Sequence, residues 1–179
     1  MSVTTTLKAT SEFTEAETLA LQVMKSAVYP EVTPEIEANR AREWEAPQWG
    51  VMVTDEACDL LSYTGIVIRE ATFEGNGILI GGIGGVATHP DHRGKGYAPL
   101  GMGRALDFLL GREAAIGLLV CRDELVDYYT ALGWRLFEGT VINSQYGAPE
   151  VFTFNNVLVG DLASPAPASG VVDLCGPAW

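Results

Sequence analysis

The spacing of apolar and polar positions changes several times along the chain, and each change marks an element. Residues 3–9 form a short threonine-rich stretch with the β-branched content of a strand. Thr14-Glu15-Ala16-Glu17 then sets a hydroxyl three residues before a carboxylate, the arrangement of a capping box, ahead of apolar Leu19, Leu21, Val23 and Met24. A first helix of about three to four turns is predicted, ending at Tyr29-Pro30. Pro34 suits the first turn of a second helix, and the stretch from there to Trp44 is polar with few apolar anchors, as on a surface or over a cleft. From Trp49 the period shortens to two. Val51 and Val53 alternate with smaller or polar residues, and residues 60–69 are rich in β-branched and aromatic types. Gly75-Asn76-Gly77 predicts a hairpin reversal into a further strand over residues 78–88.

Beyond residue 88 the period becomes helical, with Leu100, Leu106, Leu109 and Leu110 on one side of residues 97–111. Residues 116–121 are continuously apolar, the pattern of a strand buried on both faces, and a second helix over 124–132 is closed by Gly133 at the C′ position. Strands follow over 134–143 and 151–159. The tail 163–170 is rich in Pro, Ala and Ser and precedes an apolar end, 171–179. The antiparallel run followed by β-α-β-α predicts an α+β fold, and no internal repeat is present.

Composition narrows the classes. A chain of 179 residues with 47% hydrophobic and 19% charged residues is globular, enough for one domain over residues 1–179. The net charge of -12 opposes a nucleic-acid or anionic-membrane partner and favours cationic small molecules, although the plainer reading of the charge is a solvated acidic surface. Cys58, Cys121 and Cys175 are far apart and in apolar surroundings, so neither a disulfide framework nor a zinc site is expected, and the reading is a reducing cytoplasm. The N-terminus lacks the basic and apolar regions of a leader, and the longest apolar and glycine run, 77–87, is too short to span a bilayer. His89 and His92 have no third ligand in sight, so no metal is expected.

The chemistry is concentrated in His89-Pro90-Asp91-His92-Arg93-Gly94-Lys95-Gly96-Tyr97-Ala98, which joins an apolar strand directly to a helix. Backbone N–H groups at such a helix start form an anion site. Gly94 and Gly96 let the backbone approach a diphosphate, Ala98 keeps the helix start slim, and Arg93 and Lys95 add positive charge to an acidic chain. Neither a Walker loop nor a dinucleotide fingerprint is present.

Arg93-Gly94-Lys95-Gly96-Tyr97-Ala98 resembles the coenzyme A pyrophosphate loop of the GNAT superfamily of N-acetyltransferases, of the form Gln/Arg-x-x-Gly-x-Gly/Ala. Tyr129-Thr130-Ala131-Leu132-Gly133-Trp134 resembles its later Tyr-x-x-x-Gly-Phe helix ending. The resemblance implies the GNAT acyl-CoA N-acyltransferase fold, a mixed, mostly antiparallel sheet of six to seven strands with flanking helices, in which strands 4 and 5 splay. It implies an acetyl-CoA cofactor held by Val86, Ala87, Thr88, Arg93, Gly94, Lys95, Gly96, Tyr97 and Ala98. The Val86 backbone N–H, at a Gly84-Gly85 kink, would face the thioester carbonyl, and Tyr129 would be the general acid for the leaving thiolate. Tyr128 lies about 100° around the helix and cannot share that task. Many members place a carboxylate on the strand before the loop; here Gly82, Ile83, Gly84 and Gly85 stand there. A base would come from Glu43, Glu45 or the C-terminal carboxylate, or act through water.

Within the superfamily, residues 43–179 look like the aminoglycoside 2′-N-acetyltransferases. Glu43-Trp44-Glu45 matches an Asp-Trp-Glu segment opening the substrate-side strand, Gly85-Val86-Ala87 matches the turn before the loop, and Asp173-Leu174-Cys175-Gly176-Pro177-Ala178-Trp179 matches the ending in Asp, Gly and Trp. This implies a small-molecule amine acceptor, met by Glu43, Glu45, Asp173 and Trp179. The chain departs from the family at Gly84, where the family has a strand Glu, and at Pro177, where it has an Asp. A homodimer is compatible with the sequence. An idle coenzyme A-binding domain, a longer acyl group and a peptide amine are the alternatives.

Overall fold

In the computed structural model, which describes residues 2–29 and 34–179, the capping box forms as the sequence predicts. The Thr14 hydroxyl accepts the Glu17 N–H at 3.2 Å, and the Glu17 carboxylate accepts the Thr14 N–H at 2.8 Å. The Lys8 ammonium at 2.8 Å, helped by the Thr14 donors, holds the Glu17 carboxyl below its ordinary range. Helix α1, Glu15–Val28, follows and buries Met24, while Leu19 and Val23 face outward. Pro30, expected to end this helix, lies outside the described residues. Helix α2, Pro34–Arg40, starts at its proline as expected.

Two compact units emerge. One comprises Met1–Arg42, Pro47–Ile66 and Gly85–Ala105. Within it β1, Thr4–Ala9, pairs antiparallel with β2, Trp49–Thr54, which pairs antiparallel with the first half of β3, Leu60–Phe73. Met24, Met52, Tyr63 and Ala87 form its apolar cluster, and burial pushes the Tyr63 hydroxyl up to about 12.

The other unit comprises Glu43–Ala46, Val67–Gly84 and Leu106–Trp179. It takes the second half of β3 and most of β4, Asn76–Thr88, with β5, Ile116–Cys121, then β6, Arg135–Leu136, and β7, Thr140–Gln145. Beyond these lie β8, Ala148–Val151, β9, Asn156–Asp161, and β10, Val171–Asp173. The strand order is β6-β9-β5-β4-β3-β10-β7-β8, mostly antiparallel, with β4-β5 and β7-β10 parallel. Helix α3, Tyr97–Gly111, and helix α4, Val126–Ala131, complete the described elements.

Three details differ from the sequence reading. The described strands number ten because β6, β8 and β10 are pieces of two to four residues that the expected strands of six to seven did not separate. The β3-β4 reversal falls at Glu74 and Gly75, with φ 49° and 75°, so both central residues are left-handed as a type I′ turn requires, and Asn76 already belongs to β4. The helix expected over 124–132 divides into a single 3₁₀ turn, Asp123–Leu125, and the shorter α4.

Gly81, Gly82 and Gly84 of β4 are explained by what lies against each face. A Cβ on Gly81 would come within 2.6–2.7 Å of the Leu109 methyls of α3. On the opposite face a Cβ on Gly82 would come within 2.2–2.5 Å of the Trp179 indole, and one on Gly84 within 2.9 Å. The parallel ladder between β4 and β5 runs from Ile80 and Ile116 to Ile83 and Leu119 and stops short of both strand ends, the splay expected of strands 4 and 5.

Candidate active site

In the first unit, β4 bends at Gly85, whose φ of 58° is the kink expected before Val86. The strand end is anchored from β3. Ser62 Oγ donates to the Ala87 carbonyl at 2.9 Å and lies 3.0 Å from Thr88 Oγ1, while the His89 N–H donates to the Leu61 carbonyl at 3.0 Å. A 3₁₀ turn, Pro90–His92, follows, capped by His89 Nδ1, which accepts the Asp91 N–H at 3.3 Å.

Residues 93–96 are exposed. Gly94 and Gly96 have φ of 74° and 82°, and a Cβ on either would meet nothing within 4 Å. They are glycines because the backbone is left-handed, and not because this chain crowds them. The Gly96 carbonyl accepts the Leu100 N–H at 3.2 Å and so opens α3, whose first turn carries no acid. Lys95 Nζ donates to the Asp91 carbonyl at 3.0 Å, which folds its charge back over the 3₁₀ turn. Arg93, Lys95 and the start of α3 thus form a cationic, donor-rich surface suited to a diphosphate.

In the second unit, Tyr129 is the buried residue of α4, 6% exposed, with its ring centroid 5.0 Å from that of the more exposed Tyr128. Burial raises the Tyr128 hydroxyl above its ordinary value. The Trp134 N–H donates to the Tyr129 carbonyl at 3.1 Å and the Gly133 N–H to the Thr130 carbonyl at 3.0 Å, a Schellman stop. That stop seats Trp134 against Gly117 and Gly160, where added Cβ atoms would lie 3.1–3.2 Å from its ring. The Tyr-x-x-x-Gly-Trp pattern therefore has a packing reason at each named position. On β5, burial and the charges of Asp123 and Glu124 push the Cys121 thiol up to about 11, so it stays protonated and is a poor nucleophile.

The structure gives the predicted acceptor residues definite partners. Glu43-Trp44-Glu45 lies in the connection between α2 and β2, not at a strand's start. The Glu43 backbone exchanges hydrogen bonds with the Gln145 side chain at 2.9–3.0 Å, and its carboxylate accepts the Tyr146 N–H at 2.7 Å. Trp44 packs edge-on against Phe152 and Phe154. The Glu45 carboxylate is ion-paired with Arg69, and the Glu45 N–H donates to the Ala178 carbonyl at 2.7 Å. Asp173 accepts the Cys175 N–H at 2.8 Å. Trp179 is buried, its Nε1 without a hydrogen-bond partner among the described residues.

Glu45 and Trp179 are thus brought together around Arg69, whereas Glu43 is fixed to the β7-β8 turn and Asp173 to the chain after β10. Sequence reasoning passed over Arg69; a lone cation inside an otherwise β-branched and aromatic strand was its signal. Among the described residues no group of three His, Cys, Asp or Glu side chains is placed to hold a metal ion, and no helix is long and apolar enough to cross a membrane.

Comparison with known proteins agrees with this architecture. The acetyltransferase (GNAT) domain family matches residues 7–137, and the chain belongs to that family. No curated protein sequence matches the chain. Among solved structures, a GNAT family N-acetyltransferase from Escherichia coli in complex with CoA aligns with a TM-score of 0.59 and 14% identity, covering 97% of this chain and 91% of that one. A GNAT family acetyltransferase from Brucella melitensis in complex with acetyl-CoA aligns with a TM-score of 0.57 and 15% identity, covering 94% of each chain. An acyl-CoA N-acyltransferase from Pseudomonas aeruginosa aligns with a TM-score of 0.59 and 18% identity, covering 89% of this chain and 99% of that one.

Proposed function

We propose that the protein is an acetyl-CoA-dependent N-acetyltransferase that transfers acetyl directly to the primary amine of a small acceptor. The observation that carries this reading is the exposed 93–96 loop, with two left-handed glycines and two cations leading into the start of α3 at Tyr97. Two structural neighbours, one in complex with CoA and one with acetyl-CoA, support it. In this reading Arg93, Gly94, Lys95, Gly96, Tyr97 and Ala98 hold the diphosphate, and the backbone of Val86, Ala87 and Thr88 holds the pantetheine arm. Bound acetyl-CoA supplies the activated thioester. The Val86 N–H donates to the carbonyl oxygen as it gains charge, and Tyr129 gives its hydroxyl proton to the departing thiolate. The C–N bond would form as the C–S bond breaks, and the proton lost by the amine would pass through water to restore the Tyr129 hydroxyl. The protonated Cys121 thiol favours direct transfer over a covalent relay.

The acceptor amine is taken to meet the protein beside Gly84 and Trp179, where an acidic chain of net charge -12 favours cations. An aminoglycoside is the acceptor class that the resemblance of residues 43–179 favours. Because Glu43 and Glu45 already hold partners, aminoglycosides enter the test as one arm among several. The glycine at position 84 favours a second reading, a domain that binds coenzyme A without catalysis.

The test is thiol release from acetyl-CoA over a panel of aminoglycosides, polyamines, arylalkylamines and peptide amines. Release at least about tenfold above the acceptor-free rate is expected with one class. Binding of acetyl-CoA without release from any class would leave the second reading standing. The protein is further taken to be cytoplasmic and to act on small molecules, with neither nucleic acid nor membrane as a partner.

A further inference from the structure

Residues 174–178 are held by main-chain bonds, the Leu174 N–H to the Ile142 carbonyl at 2.8 Å and the Ser144 N–H to the Gly176 carbonyl at 2.9 Å, and by one cation. Arg69, on β3, donates through Nη1 to the Pro177 carbonyl at 2.6 Å and to the Leu174 carbonyl at 3.4 Å. Its Nη2 pairs with the Glu45 carboxylate, and its guanidinium carbon lies 5.8 Å from the centroid of the Trp179 ring. The side chains of the pair are 12% and 32% exposed, so the contact is shielded from solvent on the Arg69 side. Glu45 adds its own N–H to the Ala178 carbonyl. Gly176 leaves room for the clamp, since a Cβ there would lie 2.8–2.9 Å from the guanidinium and push it aside.

This clamp sets where Trp179 goes. The indole fills the space over Gly82 and Gly84, so an aromatic ring from a distant segment takes the place of the side chains that β4 lacks. The ring does not hold itself there by hydrogen bonding, because its buried Nε1 has no partner among the described residues, an arrangement that opposes burial. Apolar packing and Arg69 hold it.

We propose that Arg69 is the positioning residue for acceptor specificity. By clamping residues 174–178 it seats the Trp179 indole over Gly82 and Gly84 and fixes the shape that an acceptor amine meets there. The proposal rests on the acceptor reading given above. Arg69 touches neither substrate nor cofactor, and it acts through Trp179.

The experiment compares Arg69→Met, Arg69→Lys and Glu45→Gln with the wild type, with Trp179→Phe combined with Arg69→Met. In acrylamide quenching of tryptophan emission, Arg69→Met should increase the quenchable fraction, and adding Trp179→Phe should remove the increase. On the amine accepted best by the wild type, Arg69→Met should raise the acceptor KM about tenfold or more, with kcat within about threefold and acetyl-CoA affinity unchanged. It should also admit amines that the wild type rejects. Arg69→Lys should recover part of the KM effect, because a single ammonium can bond one carbonyl but cannot reproduce the fork. Glu45→Gln keeps both carbonyl bonds and tests the clamp should Arg69→Met fail to fold, with a smaller shift in the same direction. An unchanged quenchable fraction in Arg69→Met overturns the seating. A larger fraction with an unchanged acceptor profile overturns the specificity role. Thiol release by the wild type is read first, so that silence toward every amine sinks the catalytic reading by itself while the quenching arm still decides whether Arg69 seats Trp179.

Discussion

Tyr129→Phe is expected to lower kcat by about 10²–10⁴-fold while leaving acetyl-CoA affinity and the fold unchanged. The substitution removes one oxygen and keeps a ring of the same shape in a position only 6% exposed. The Schellman bonds that stop α4 use the main chain of residues 129, 130, 133 and 134, so the helix ending and the seat of Trp134 remain. The hydroxyl alone is tested. A loss confined to kcat identifies a group that acts on the departing thiolate, whereas a rise in KM or a fall in Tm identifies packing. The check is steady-state thiol release together with calorimetric titration of acetyl-CoA. Turnover within about twofold of the wild type would remove Tyr129 from the mechanism and leave it as a core aromatic.

The second large effect is on stability. Gly82→Ala adds one methyl group, which would lie 2.2–2.5 Å from three atoms of a rigid indole, closer than any Cβ contact can be. Either the strand shifts or Trp179 leaves its seat, and the expected cost is about 1–3 kcal/mol, as for overpacking of a well-filled core. Gly103 in α3 is the control. A Cβ there meets nothing within 4 Å, so Gly103→Ala should be neutral or stabilise by about 0.5–1 kcal/mol through helix propensity. Urea unfolding of the two variants checks both. Equal stability of Gly82→Ala and the wild type would mean that Trp179 is not seated over β4.

The contrast between these glycines shows which features were legible in the sequence. Elements whose signals are local could be read from residue order. The capping box at Thr14, the start of α2 at Pro34, α3, β5 and the stop at Gly133 all follow from neighbours within a few residues. The loop at 93–96 was legible for the same reason, because a positive φ is a local demand and glycine meets it. The β3-β4 turn was misplaced because Glu74, not Asn76, takes the left-handed position, a choice that strand register makes and composition does not reveal.

Nonlocal pairings were not legible. Nothing in Gly82-Ile83-Gly84 says that a tryptophan nearly a hundred residues later fills the gap, so the missing carboxylate read as a loss where the structure has a replacement of shape. Likewise Glu43 and Glu45 read as open acidic groups, because their partners, the Tyr146 N–H and Arg69, are brought to them only by the fold.

The most direct test of the central reading is calorimetric titration of acetyl-CoA into the wild type and into Gly96→Val. The left-handed φ at position 96 is strained for a β-branched residue, and open space around it leaves the rest of the fold undisturbed. The expected result is wild-type binding with a Kd in the range of about 1 μM to 1 mM, weakened at least about tenfold in the variant while its circular dichroism stays native. No wild-type binding at hundreds of micromolar, or equal affinity in the two proteins, would contradict the assignment of residues 93–98 as the coenzyme A diphosphate site.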